Sequence, residues 1–198
     1  MTDGSEAGAG KSTGATAVGD EAAGRIRASH ARQVQVLQAR PARGIGTAVT
    51  TATVTDGLTC EVEEGPYRLV VDMLERFGGN DRGPNPGVYG RTALASCLAM
   101  TYVRWAADNH LPIESLEVEV EADYDARGEL GVDDDVTPAY TQVRYTVRVE
   151  TDASEDEVRR VFDYADEKCP YLHVWTDPLD VRRELRVARR ALGDRVEA

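Results

Sequence analysis

The chain has 198 residues, enough for one domain with its own core. It carries 23 basic and 35 acidic residues, a formal charge of −12, which argues against nucleic acid and anionic membranes as main partners because phosphate contacts need clustered cations. No apolar run approaches the roughly 20 residues of a membrane helix, and the first residues lack the basic-then-apolar pattern of a secretory signal, so a soluble, cytoplasmic protein is expected.

The basic residues are almost all arginine; Lys11 and Lys168 are the only lysines. Acidic excess with scarce lysine fits the hydrated carboxylate surface of a halophilic protein, whose self-repulsion salt screens. It fits equally an ordinary acidic protein from an arginine-biased genome. Three cysteines, Cys60, Cys97 and Cys169, cannot close a disulfide framework. They read as free thiols, either reactive or buried and inert.

In chain order, residues 1–43 are rich in Gly, Ala, Ser and Thr and read as a flexible N-terminal extension. Residues 22–38 could form a short polar helix, but no apolar face is evident. Gly8-Ala9-Gly10-Lys11-Ser12-Thr13 imitates the end of a phosphate-binding loop. It lacks the first glycine of that motif, Ser5 standing in its place, and the preceding strand. The folded domain is placed at 44–198.

Residues 46–54 are β-branched and predict a strand, Asp56-Gly57 signals a hairpin, and strands follow at 58–62 and 67–72. Together they suggest an antiparallel meander. A glycine- and proline-rich loop leads to a long helix over 88–109, with Leu94, Cys97, Leu98, Thr101, Tyr102 and Trp105 at helical spacing. Its small residues, Gly90, Ala93, Ala95, Ser96 and Ala99, allow another backbone to approach closely. Residues 116–122 and 140–149 alternate as half-buried strands. Ser154 and Glu157 have capping-box spacing at the start of a helix that ends near Cys169-Pro170. Residues 181–192 fit either a final strand or an arginine-rich helix.

Cys97 lies within the long helix, and Cys169 stands just before a proline. Each is a place where a thiol can be tuned, and a redox pair follows if the fold joins them. Cys60 reads as structural, His110 as a residue at the helix end, and His173 as a surface residue near Cys169. Tyr171 and Trp175 either line an apolar pocket beside Cys169 or simply pack. The scattered histidines and cysteines have no zinc spacing, and Asp133-Asp134-Asp135 lacks a calcium-loop pattern.

An ordered set of features resembles the OsmC/Ohr family of osmotically induced and organic hydroperoxide resistance proteins. These are the Gly78-Gly79 loop, Pro86, Leu94-Ala95 and Cys97 on the helix, Leu111-Pro112-Ile113, the alternating strand, and Lys168-Cys169-Pro170, spread over about residues 44–185. The resemblance implies an α+β, two-layer fold: antiparallel sheets, two central helices, and an intertwined homodimer. It implies a peroxidase that reduces organic hydroperoxides in oxidative stress defence. Cys97 would be peroxidatic and Cys169 resolving, an external thiol or dithiol would be the reductant, and no metal or organic cofactor would be needed.

The chain also departs from that pattern. Gly87 stands where the family peroxidases carry a glutamate, ten residues ahead of Cys97, and the first hairpin lacks the arginine that pairs with it. Arg104 shares a helical face with Cys97 and is a candidate surrogate; Arg91 does not share that face. The alternative reading is a catalytically weak scaffold that binds a small ligand.

Overall fold

The computed structural model describes residues 18–188. The Gly8–Thr13 segment lies outside them. In chain order the elements are α1 (Asp20–Ala39), β1 (Thr51–Asp56), β2 (Thr59–Glu64), β3 (Tyr67–Val71), α2 (Pro86–Asp108), β4 (Ser115–Tyr124), α3 (Ala126–Glu129), β5 (Tyr140–Glu150), α4 (Glu155–Glu167) and α5 (Pro170–Thr176).

The strands form two separate antiparallel sheets, β1-β2-β3 and β4-β5. The second sheet is the floor of the core. Its inward row pairs Leu116 with Val149, Val118 with Val147, and Val120 with Tyr145. The alternation in sequence puts these side chains on one face and Glu117, Glu119, Glu121, Arg144 and Arg148 on the other. Helices α2 and α4 cover the apolar face. Leu94, Leu98, Tyr102, Val161 and Ala165 are all at most 2% exposed there. Each large side chain so buried contributes about 1.5–3 kcal/mol. The Ser154–Glu157 capping box forms as its spacing predicts, satisfying donors at the start of α4.

The first sheet is the predicted meander. Gly57 takes φ +56° in its hairpin and Gly65 φ +55° in the next turn, left-handed values that favour glycine. Its foot is held by Asp72, 1% exposed. The Asp72 carboxylate accepts from the Thr59 hydroxyl at 2.8 Å and from the backbone N–H groups of Met73, Asn80 and Arg82. Burial alone would raise the Asp72 carboxyl, but these hydrogen bonds outweigh it and hold it below the ordinary value. The knot ties the sheet to the loop that delivers α2. Gly79 is required there, because a Cβ would come within 1.9 Å of the Met73 carbonyl oxygen.

Two expectations are corrected. Within the segment read as a flexible extension, the possible polar helix over 22–38 forms as α1, Asp20–Ala39, and is laid against α2 instead of being left flexible. It docks through a few points instead of an apolar stripe, so the sequence showed a helix but not its docking. The Arg27 guanidinium donates to the Ala107 carbonyl at 3.2 Å, His30 meets Asp108 at 3.1 Å, and the His30 ring packs edge-on to Trp105 at 4.9 Å. Residues 181–188 are neither strand nor helix, and Val181, Leu185 and Val187 are more than 70% exposed. Their alternation suits a strand, but among the described residues the segment pairs with no sheet edge.

Candidate active site

Cys97 is in the middle of α2, partly buried. Cys169 is completely buried at the junction between α4 and α5, where Pro170, lacking an N–H, ends one helix and starts the next. Helix α5, absent from the sequence reading, packs along α2. The small-residue face of α2 permits this: Trp175 lies across Gly90, two turns ahead of Cys97.

The fold thereby joins two cysteines 72 residues apart in sequence. Cys97 packs against the buried cluster that holds Cys169, Cys97 and Thr101 are near enough to perturb the Cys169 thiol, and both cysteines are free. Burial pushes the Cys169 thiol above its ordinary value. The neighbouring Cys97 adds to this, while the Leu172 backbone N–H and the Thr101 hydroxyl partly offset it. Such a thiol stays protonated until something draws the proton away.

A polar cluster underlies Cys169. The Asp166 carboxylate accepts from the Tyr102 hydroxyl at 2.5 Å and from the Tyr145 hydroxyl at 3.0 Å. Tyr102 is 1% exposed and stacks on Phe162 at 4.4 Å. Burial first, and then the adjacent carboxylate, pushes Tyr145 up to about 12 and raises Tyr102 further, so both phenols remain donors at neutral pH. Thr101 and Tyr102 read in the sequence only as part of the helix face, and Tyr145 and Asp166 carry no site signal of their own there. The available signals were positional: Thr101 at i+4 from Cys97, Asp166 at i−3 from Cys169, and Tyr145 on the inward row of β5.

The other candidates fall elsewhere. Arg104 is exposed and lines a groove of about 550 Å³ between α1, α2 and β4 whose walls include neither Cys97 nor Cys169. Arg91 is committed to Tyr140: its guanidinium donates to the Tyr140 hydroxyl at 2.7 Å, and Tyr140 stacks on Trp175 at 5.6 Å. The space a side chain at 87 would enter is occupied by this group; a Cβ there would lie 3.1 Å from the Tyr140 hydroxyl and 3.2 Å from the guanidinium. Cys60 is on β2, paired in register with Val71. His110 takes φ +56° just past the end of α2 and is exposed. His173 is exposed and ion-paired with Asp177 at 2.8 Å. Tyr171 is 43% exposed. No helix of the described residues is long and apolar enough to cross a membrane.

A two-layer α+β fold with a cysteine on its long helix and a second cysteine at a helix junction defines a class, and comparison identifies it. The family model described as OsmC-like protein matches residues 78–183, and the chain belongs to that family. Among solved structures, an OsmC-like protein from Mycoplasma pneumoniae is similar at 15% identity and TM-score 0.57, over 67% of this chain and 89% of that one. A Legionella pneumophila structure, titled an organic hydroperoxide resistance protein OsmC and predicted redox protein, is similar at 20% identity and TM-score 0.50, over 67% and 91%. An OsmC-like protein of unknown function from Vibrio cholerae follows at 12% identity and TM-score 0.53, over 66% and 94%. These likenesses define the fold. No curated protein sequence matches the chain.

Proposed function

We propose that this chain is a homodimeric, thiol-dependent peroxidase that reduces organic hydroperoxides in oxidative stress defence, working in the cytoplasm through its 44–198 domain. The observation that carries the reading is the meeting of Cys97 and Cys169 in one partly buried site. In the first step the Cys97 thiolate attacks the peroxide: an S–O bond forms, the O–O bond breaks, and the alcohol leaves with a proton. In the second step the Cys169 thiol attacks the sulfenic acid, the S–S bond forms and water leaves. An external thiol or dithiol then reduces the disulfide, restoring both thiols. Neither step requires a metal or an organic cofactor.

The exposed first sheet and the unpaired alternating segment at 179–187 support a second copy as partner. Strands with apolar residues on open faces need a partner surface for stability.

The test is intact mass and free-thiol count before and after one equivalent of cumene hydroperoxide. Loss of two hydrogens, mapped to Cys97 and Cys169, is expected. Persistence of peroxide consumption in Cys97→Ser would overturn the reading. A second reading, a small-ligand-binding scaffold with little turnover, is favoured by Gly87 and by the commitment of Arg91 to Tyr140. Thiols inert to hydroperoxide would select it.

A further inference from the structure

Asp166 touches three elements at once. It belongs to α4, its carboxylate is tied by Tyr102 to α2 and by Tyr145 to β5, and its backbone carbonyl accepts the Cys169 N–H at 3.2 Å. Tyr102 is five residues beyond Cys97 on the same helix. One residue therefore registers the Cys169 backbone against the helix that bears Cys97. Around it the constraints are stiff: Tyr102 is buried and stacked, and Pro170 prevents α4 from sliding on through Cys169. A disulfide demands Cα atoms within about 7 Å and a narrow dihedral range, so a small change in this register governs whether the two sulfurs can bond.

We propose that Asp166 is a positioning residue for disulfide closure: with Tyr102 and Tyr145 it holds Cys169 where its sulfur can attack Cys97, without itself touching the substrate. This rests on the peroxidase reading for the step it serves. In that step Cys169 attacks the Cys97 sulfenic acid, the S–S bond forms, the S–O bond breaks, and the Cys169 proton departs with the hydroxyl as water. The geometry itself applies to any leaving group on Cys97.

The experiment uses the full chain carrying Cys60→Ser and the aromatic disulfide 5,5′-dithiobis(2-nitrobenzoate). Cys97, the more accessible of the two thiols, attacks the probe and releases one thionitrobenzoate. Cys169 then displaces the second and closes the disulfide. Asp166→Asn, which keeps the shape but not the charge, is expected to slow the second release about tenfold or more and to leave the first within about twofold. Tyr145→Phe, which removes one tie only, gives a smaller loss of the same kind and carries the test if Asp166→Asn does not fold. Equal slowing of both releases would reveal a merely structural role, and no slowing would overturn the proposal outright. With cumene hydroperoxide, Asp166→Asn should accumulate a Cys97 sulfenic acid trapped by dimedone. If the parent chain consumes no hydroperoxide while the two releases still separate, the peroxidase reading fails and the positioning role stands.

Discussion

The two sheets of this protein are built from similar sequence material and lead opposite lives. In β4-β5 one face is sealed by α2 and α4, and the other is laced by ion pairs: Arg148 with Glu117 and Glu119, both at 2.7 Å, and Arg144 with Glu121 and Asp123 at 3.0 and 2.6 Å. In β1-β2-β3, Val54, Tyr67 and Leu69 stay 65%, 71% and 47% exposed, and the sheet's firm anchor is the Asp72 knot at its foot. Backbone ladders alone are marginally stable; a covered apolar face makes a sheet durable. The second sheet therefore backs the helices that bear the candidate site, and the first is held by polar bonds and, as proposed, by a second copy.

The largest test of this contrast is a pair of equal truncations. Leu98→Ala, in the core, should cost about 2–5 kcal/mol in denaturant unfolding. Leu69→Ala, on the first sheet, should change protomer stability by about 0.5 kcal/mol or less while weakening self-association in sedimentation. Equal costs for the two variants in the monomer would abolish the distinction.

Asp72→Ala should come next. It strands the Thr59 hydroxyl and several backbone donors, so hydrogen exchange should speed up across 51–71 while β4-β5 stays protected. The pH dependence has a definite sign. A carboxyl held below its ordinary 3.8 contributes stability that is present above that value and lost as pH falls through the lowered one. On acidification the first sheet should loosen before the second.

Smaller effects belong to the exposed ion pairs. Arg148→Gln should lower the melting temperature slightly at low salt and leave it unchanged in molar salt, since the pairs are exposed and solvent-screened. The same salt series tests the halophile reading of the −12 charge, which expects the parent chain's melting point to rise with salt. Smallest is His173→Gln at the end of α5. The Asp177 carboxylate, with help from the Glu167 carbonyl, raises the His173 pKa. Its contribution is complete below the ordinary histidine value of about 6.5 and fades as pH rises through the raised value. The variant should differ from the parent in melting temperature at pH 6 and coincide with it at pH 9.

Local pattern determined much of this protein. The hairpin at Asp56-Gly57, the alternation of β4 and β5, the long cysteine helix and the Ser154–Glu157 cap were legible because each depends on neighbours a few residues away. The ordered glycine, proline and cysteine signals also sufficed to point to the family. Helix α1 was legible as a possible polar helix but its docking was not, because it is made by scattered polar and aromatic contacts that no periodic stripe records. The segment at 181–188 was ambiguous because a strand is defined by a partner, which its own sequence does not contain. Tertiary structure alone decided which residues surround the two cysteines of the candidate site. Cys97 and Cys169 become neighbours because α4 and α5, on either side of Cys169, both pack along α2, with Trp175 over Gly90. The Tyr102, Tyr145 and Asp166 cluster gathers residues from a helix, a strand and a second helix. Arg91 shows the same limit in reverse: the wheel placed it off the Cys97 face, but only the fold could reveal that Tyr140 was waiting for it. Such long-range meetings depend on packing across elements, a property of the folded chain that no short window of residues encodes.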